Sequence, residues 1–256
     1  EHMIAELYGK ISGMGSNLTD RLEDDLTGNV FGTLRYLPFH EGVGRILATA
    51  RIAELSTLLR KNRLSYWADR ISFWPYHKEG ELDVLIELDD SVIGIEVKYC
   101  SGLSSDDEVD NSETGKEFEY SVNQLARESR IVKEKSGRKK SFLIFIANDS
   151  ACASTYRNVI SRHILEDGVQ LGYVSWQEIL IQLETHTIDD RFRRLILADV
   201  IALLKKKGFE RFQSFEIGSN ASICADDYYC YEYFPDRSFN FQLIDQVDGG
   251  AYYEYR

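Results

Sequence analysis

Proline and methionine are scarce, at 3 and 2 of 256 residues. With 43% hydrophobic and 28% charged residues beside so little proline, the chain is not a Pro-rich linker or a low-complexity segment. Cysteine is sparse too. Cys100, Cys152, Cys224 and Cys230 form no C-x-x-C pair, which excludes the common structural zinc patterns. No apolar run approaches the ~20 residues of a membrane span. The longest, Phe142 to Ala147, is strand-sized. No signal-peptide pattern is visible, so a cytoplasmic, reduced protein without membrane association is expected. Glu1-His2 ahead of Met3 reads as an expression scar, with the native start at Met3. His40, His77, His163 and His186 lack H-x-x-x-H spacing, which argues against zinc-hydrolase chemistry. Neither a G-x-S-x-G elbow nor a Walker A loop is present.

Net positive charge is also missing. The formal charge is −12, which on its face speaks against a nucleic-acid partner. That charge is unevenly spread. Residues 101–119 carry seven acids and one Lys, and residues 222–256 carry seven acids and two Arg. The remainder is close to neutral and holds two basic stretches, 120–140 and 191–211, each with seven basic and two acidic residues. A local basic surface is therefore compatible with the total.

What is there reads as alternating helices and strands. Leu18, Leu22, Leu26, Val30 and Leu34 recur at helical spacing and predict a helix over 17–37, stopped by Pro38. A second helix is expected over 44–63. Strands follow at 70–76, 82–88 and 92–98. The Ser/Asp/Gly-rich stretch 101–115 reads as a long loop. A helix is expected over 116–135 and closed by Gly137, then a buried strand at 141–147. A helix at 155–165, a strand at 171–175 and a helix at 176–183 come next, the last with a Ser175/Glu178 capping box. A long helix runs over 189–207 to Gly208. The order predicts an α/β fold with a mixed central β-sheet flanked by helices, an N-terminal helical pair and a C-terminal helix. Residues 3–208 are expected to form one domain. Residues 209–256, acidic and Tyr-rich, are expected as a C-terminal extension packed on it as short strands or a hairpin.

The chemistry concentrates between Glu81 and Lys98. Side chains alternate along a strand, so Leu82, Val84, Ile86 and Leu88 face one way and Asp83, Leu85 and Glu87 the other. By the same parity Ile93, Ile95 and Val97 oppose Val92, Gly94, Glu96 and Lys98. Asp83, Glu96 and Lys98 then share the face opposite the apolar one. A two-residue turn at Asp89-Asp90 sets Asp83 across from Glu96, with Cα atoms ~4.5–5.5 Å apart. Two carboxylates that close repel unless a cation lies between them. A hard divalent ion, Mg²⁺ with Mn²⁺ as a substitute, resolves the repulsion, and the Val97 carbonyl supplies a further oxygen. Lys98 is placed to hold an attacking water or to stabilise charge on a phosphate. Gly94 leaves room for a bulky substrate.

Asp83 followed by Glu96-Val97-Lys98 resembles the PD-(D/E)xK motif of the restriction-endonuclease-like nuclease superfamily. The resemblance covers about residues 17–176, with Leu82 where the family often has Pro. It implies a restriction-endonuclease-like core and Mg²⁺-dependent hydrolysis of DNA phosphodiester bonds. It also implies a metal-site Glu on the opening helix, matched by Glu23 with Asp24 as its rival, and an assisting Gln on the helix after the motif, matched by Gln124. Stand-alone bacterial members of this kind resemble components of restriction or anti-phage defence systems. DNA, a defence-system protein and a second copy of the chain are the partners implied. Arg127, Arg130 and Lys133, followed by Lys135, Arg138, Lys139 and Lys140, read either as a track for the DNA backbone or as a solvated helix face with favourable charge at its C-terminal end. An inactive nuclease-fold interaction module is the alternative function.

If the two acidic segments lie off the DNA path, deleting residues 222–256 leaves DNA affinity unchanged or raises it. A gel-shift titration measures this, and a clear loss of affinity would assign the tail to the binding surface or to the fold.

Overall fold

The computed structural model describes residues 18–99, 102–106, 121–211, 244–247 and 250–252. The chain divides into two compact units, 1–212 and 213–256. Within the second, β8 (Ile244–Val247) and β9 (Gly250–Tyr252) pair antiparallel. The alternating run expected from Phe239 to Leu243 lies outside the described residues.

The first unit is α/β, with a mixed five-stranded sheet between helices. It opens with α1 (Leu18–Leu34), α2 (Val43–Leu47) and α3 (Ala53–Lys61). Three short strands follow: β1 (Ile71–Phe73), β2 (Tyr76–His77) and β3 (Gly80–Glu81). Next come β4 (Val84–Glu87), β5 (Ser91–Val97), α4 (Gln124–Ser136), β6 (Lys140–Ala147), α5 (Asp149–Arg162) and β7 (Val169–Ser175). Two helices close it, α6 (Trp176–Glu184) and α7 (Arg191–Lys206). The strand order is β1-β4-β5-β6-β7. The β1, β4 and β5 strands run antiparallel, whereas β5, β6 and β7 are parallel. A separate hairpin is made by β2 and β3.

Burial follows the two-residue period. Ile93, Ile95 and Val97 on β5, with Phe142, Ile144 and Ile146 on β6, enter one core with α1, α2, α3, α6 and α7. Val92, Leu143, Phe145 and Ala147 enter a second core with α4 and α5. Both faces are thus covered, which is why these strands are almost continuously apolar. The two crossover helices lie on one face, as consecutive crossovers of one hand must. Leu82 departs from the expected parity. It precedes β4 and packs with Leu85 and Val92 in the second core. Gly94 departs as well: a Cβ there would run into Val132 Cγ2, so its role is to admit α4 rather than a substrate.

The second helix expected from sequence is two helices. The chain breaks at 48–52, with Arg51 left-handed at φ 59°. The break brings the Ala50 carbonyl to β7, where it accepts the Tyr173 N–H at 3.2 Å. Arg51 then pairs with Glu178 and stacks over the Tyr173 ring at 4.3 Å. These contacts, absent from local periodicity, outweigh continuing the helix. The first expected strand also stops early, where Trp74 takes φ 47° and donates its N–H to the Asp83 carbonyl at 3.0 Å. Residues 121–123 are not helical, because Asn123 caps α4 by accepting from the Leu125 and Ala126 N–H groups. The Ser175/Glu178 capping box forms as expected, and Gly137 (φ 58°) follows the last residue of α4. Among the described residues no helix is long and apolar enough to cross a membrane.

Gly172 is where β7 meets this break. A Cβ there would collide with the Ala50 carbonyl and with Ile52. Gly172→Ala is expected to lower stability by about 1–3 kcal/mol, the usual range for overpacking, outweighing the ~0.5–1 kcal/mol a Cβ returns in backbone entropy. Urea unfolding reads the change, and an unmoved midpoint would show that 48–52 can step away from β7 freely.

Candidate active site

The β4–β5 hairpin has the register expected from sequence. Val84 faces Ile95 and Glu87 faces Val92, so continuing the ladder brings Asp83 opposite Glu96. Leu88 donates its N–H to the Ser91 carbonyl at 2.8 Å across the Asp89-Asp90 turn. Asp83 ends the ladder, since its Oδ2 accepts the Val97 N–H at 2.8 Å.

Just beyond β5, Lys98 extends its ammonium between two carboxylates. Nζ lies 2.7 Å from Glu96 Oε1 and 2.9 Å from Glu23 Oε1. The second oxygen of Glu23 accepts the Tyr99 N–H at 3.0 Å. Glu23, rather than Asp24, is thus the α1 acid that meets Lys98, one turn before the buried Leu26 that seats the helix. Gln124, the first residue of α4, donates from Nε2 to Glu96 Oε1 and accepts the Ser104 N–H at 2.8 Å. Glu23, Asp83, Glu96, Lys98 and Gln124 therefore converge from α1, the hairpin and α4. The backbone of Lys98 is fixed too, its N–H on the Ile146 carbonyl at 2.7 Å and its carbonyl on Trp176 Nε1 at 2.9 Å.

One member was not singled out from sequence. Glu128 is only 3% exposed, and among the described residues neither carboxyl oxygen has a hydrogen-bond donor. Four positions after Gln124, it lies on the same helix face. That spacing was the available signal, but its basic neighbours Arg127 and Arg130 made it resemble ordinary solvated charge. Glu128 lies close enough to Glu96 for each carboxyl to shift the other. Burial first, then the Asp83 charge, pushes Glu128 up to about 8 against the opposing Glu96 hydrogen bond. Glu96, 2% exposed, is held well above the carboxylate range by burial and by Glu128. Asp83 is raised by desolvation and by Glu96. Burial alone would depress Lys98, but Glu96 and Glu23 overcome it and hold the ammonium above its ordinary range.

Four acids thus surround one ammonium. Carboxylate oxygens are the ligand type that a hard divalent cation takes. Among the described residues no three such side chains converge in a ligating arrangement. Asp83 is turned to the Val97 N–H, and Glu96 to Lys98 and Gln124.

Two of the basic residues of α4 bind within the domain. Arg127 donates to the Glu79 carbonyl, to the Val122 carbonyl at 3.3 Å and to Ser105 Oγ at 3.1 Å. Arg130 pairs with Glu79 at 2.8 Å and donates to the Ser121 carbonyl at 3.1 Å. Both fasten the β2–β3 connection to α4. Lys133 is half-buried, with Nζ against Gly168.

The raised Glu128 pKa has a defined sign. The folded state holds the proton from about pH 4.5, the unfolded value, up to about 8. Its contribution to stability is fully present below the lower value and lost as pH rises through the upper one, at up to ~1.4 kcal/mol per unit. Glu128→Gln is expected to flatten the fall in stability between pH 5 and 8.5. Urea unfolding in EDTA measures it, and equal slopes for variant and wild type would show that Glu128 does not set that fall.

Comparison with protein-family models, curated proteins and solved structures gives no match, so the functional reading rests on these residues themselves.

Proposed function

We propose that the chain is a metal-dependent nuclease that hydrolyses DNA phosphodiester bonds. The observation that carries this is the meeting of Asp83, Glu96 and Lys98 with Glu23 and Gln124 in one buried cluster at the end of β5. Asp83 and Glu96, with Glu23 and the Val97 carbonyl, would hold Mg²⁺ or Mn²⁺. Such an ion, when bound, supplies water activation and screening of phosphate charge.

The protein groups have separable roles. Lys98 stays protonated across the working pH range, so it acts as a donor and a positive charge, not as a general base. Two of its three N–H bonds go to Glu23 and Glu96, which leaves the third for a water or a phosphate oxygen. Gln124 has its amide nitrogen on Glu96 and its oxygen on the Ser104 N–H, so it positions Glu96. Burial pushes Glu128 and Glu96 toward their neutral forms, which eases the burial of several acids around one ammonium. The proposal extends to DNA as the substrate and, for double-strand cutting, to a second copy of the chain. A restriction or anti-phage setting with a protein partner follows from the motif resemblance.

The inward turn of the acidic groups favours a second reading, an interaction module that no longer cuts. Metal titration separates the two: tight Mn²⁺ binding supports the nuclease, and none supports the module. The direct test is cleavage of supercoiled and linear DNA with Mg²⁺ or Mn²⁺. Asp83→Ala and Lys98→Ala, each checked for folding by circular dichroism, are expected to lose activity by at least ~10²-fold. Equal cleavage by wild type and both variants would overturn the assignment.

A further inference from the structure

A second feature lies among α2, α3 and the end of α6 and shares no residue with the Asp83 cluster. It is a cavity of about 660 Å³, a size that accommodates a nucleotide-sized ligand. Its lining includes His40, Arg45, Thr49, Arg60, Arg63 and His186, with no Asp or Glu among the lining residues. In a chain of net charge −12, three guanidiniums and two imidazoles around one hollow are a local reversal of sign.

The groups are built in rather than loosely solvated. Arg45 Nε is fixed on the Gln182 carbonyl at 3.0 Å, which holds its fork in place. Among the described residues neither Arg60 nor Arg63 has a carboxylate partner; Arg63 has only a 3.4 Å bond to the Asn62 carbonyl. One nitrogen of each ring, His40 Nδ1 and His186 Nε2, is closed off from solvent, so each imidazole meets the hollow through its other nitrogen, His40 Nε2 and His186 Nδ1. Glu41 stands beside His40 at 4.0 Å but is shared with Arg193 at 3.1 Å. Burial first, then the Arg45 charge, lowers the His186 pKa, with Glu41 opposing them. Two guanidiniums without a carboxylate partner beside the fixed fork of Arg45, in one concavity, match the acceptor-rich, multiply charged surface of a phosphate group.

We propose that this cavity binds a phosphorylated small molecule of nucleotide size, with Arg45, Arg60 and Arg63 on its phosphates and His40 and His186 completing the donors. Occupancy would supply the negative charge that the lining lacks. Because Arg60 and Arg63 are exposed, their removal leaves the fold intact.

Isothermal titration calorimetry of the full chain in EDTA tests this, with pyrophosphate, AMP and ATP as probes and adenosine as the uncharged control. Saturable binding of pyrophosphate or ATP is expected, weakened by rising salt, with no heat from adenosine. The double variant Arg60→Ala/Arg63→Ala should raise Kd at least tenfold, and His186→Gln should raise it as well. Asp83→Ala should leave Kd unchanged, which separates this site from the proposed nuclease centre whatever the fate of that proposal. No binding at millimolar probe, or a Kd indifferent to the arginine pair, overturns the inference. Duplex DNA held through the same arginines while ATP and pyrophosphate fail would overturn it too, in favour of a backbone contact.

Discussion

The Lys98 ammonium, held between Glu23 and Glu96, is the interaction on which the rest of this domain hangs. Removing one partner from a buried ion pair costs about 3–5 kcal/mol, because it strands the other charge. Here the consequence would spread further, since residues 96–99 collect contacts from most of the first unit. Glu23 ties α1 to them, Gln124 ties α4, and Trp176 ties the start of α6. Asn148, the residue just before α5, donates from Nδ2 to the Tyr99 carbonyl at 3.1 Å. Phe209, just past α7, stacks on Trp176 and meets Tyr99 edge-on. Three of these four, Glu96, Val97 and Lys98, also carry the proposed chemistry, so catalytic geometry and helix docking share one set of bonds.

The position of this junction follows from the sheet. Antiparallel β4 and parallel β6 flank β5, so its C-terminal end lies where hairpin and crossover meet. One side of that end is closed by α1, seated on the first core, and the other by α4, seated on the second. Polar groups placed there are shut in from two directions. Their ionisation is then governed by burial and by one another rather than by water, which is why Glu96 and Glu128 are pushed above the carboxylate range and Lys98 above its own.

Much of this was legible in the residues. The two-residue turn and the alternation of Ile93, Ile95 and Val97 determined the register that brings Asp83 to Glu96. Glu23 lay on the correct helix, one turn before Leu26. What stayed hidden depended on contacts distant in sequence. The break at 48–52 answers to Tyr173 and Glu178, more than 120 positions away. Arg127 and Arg130 looked like a free basic face, but their partners on Glu79 sit in a hairpin that periodicity does not reveal. Gly94 looked like open space until α4 was in place to fill it. His40 and His186, dismissed by spacing as metal ligands, meet across the fold in a cationic hollow.

The left-handed residue Arg51 has a consequence for the company the protein keeps. β7 is the last strand of the sheet, and an open row of N–H and C=O groups there would invite a strand from another chain. The Ala50 carbonyl occupies one of those N–H groups, and Arg51 lies across the Tyr173 ring and carbonyl. At the opposite border, β1 is only three residues long. A single strained turn thus helps keep a sheet of very apolar strands from growing outward into an aggregate.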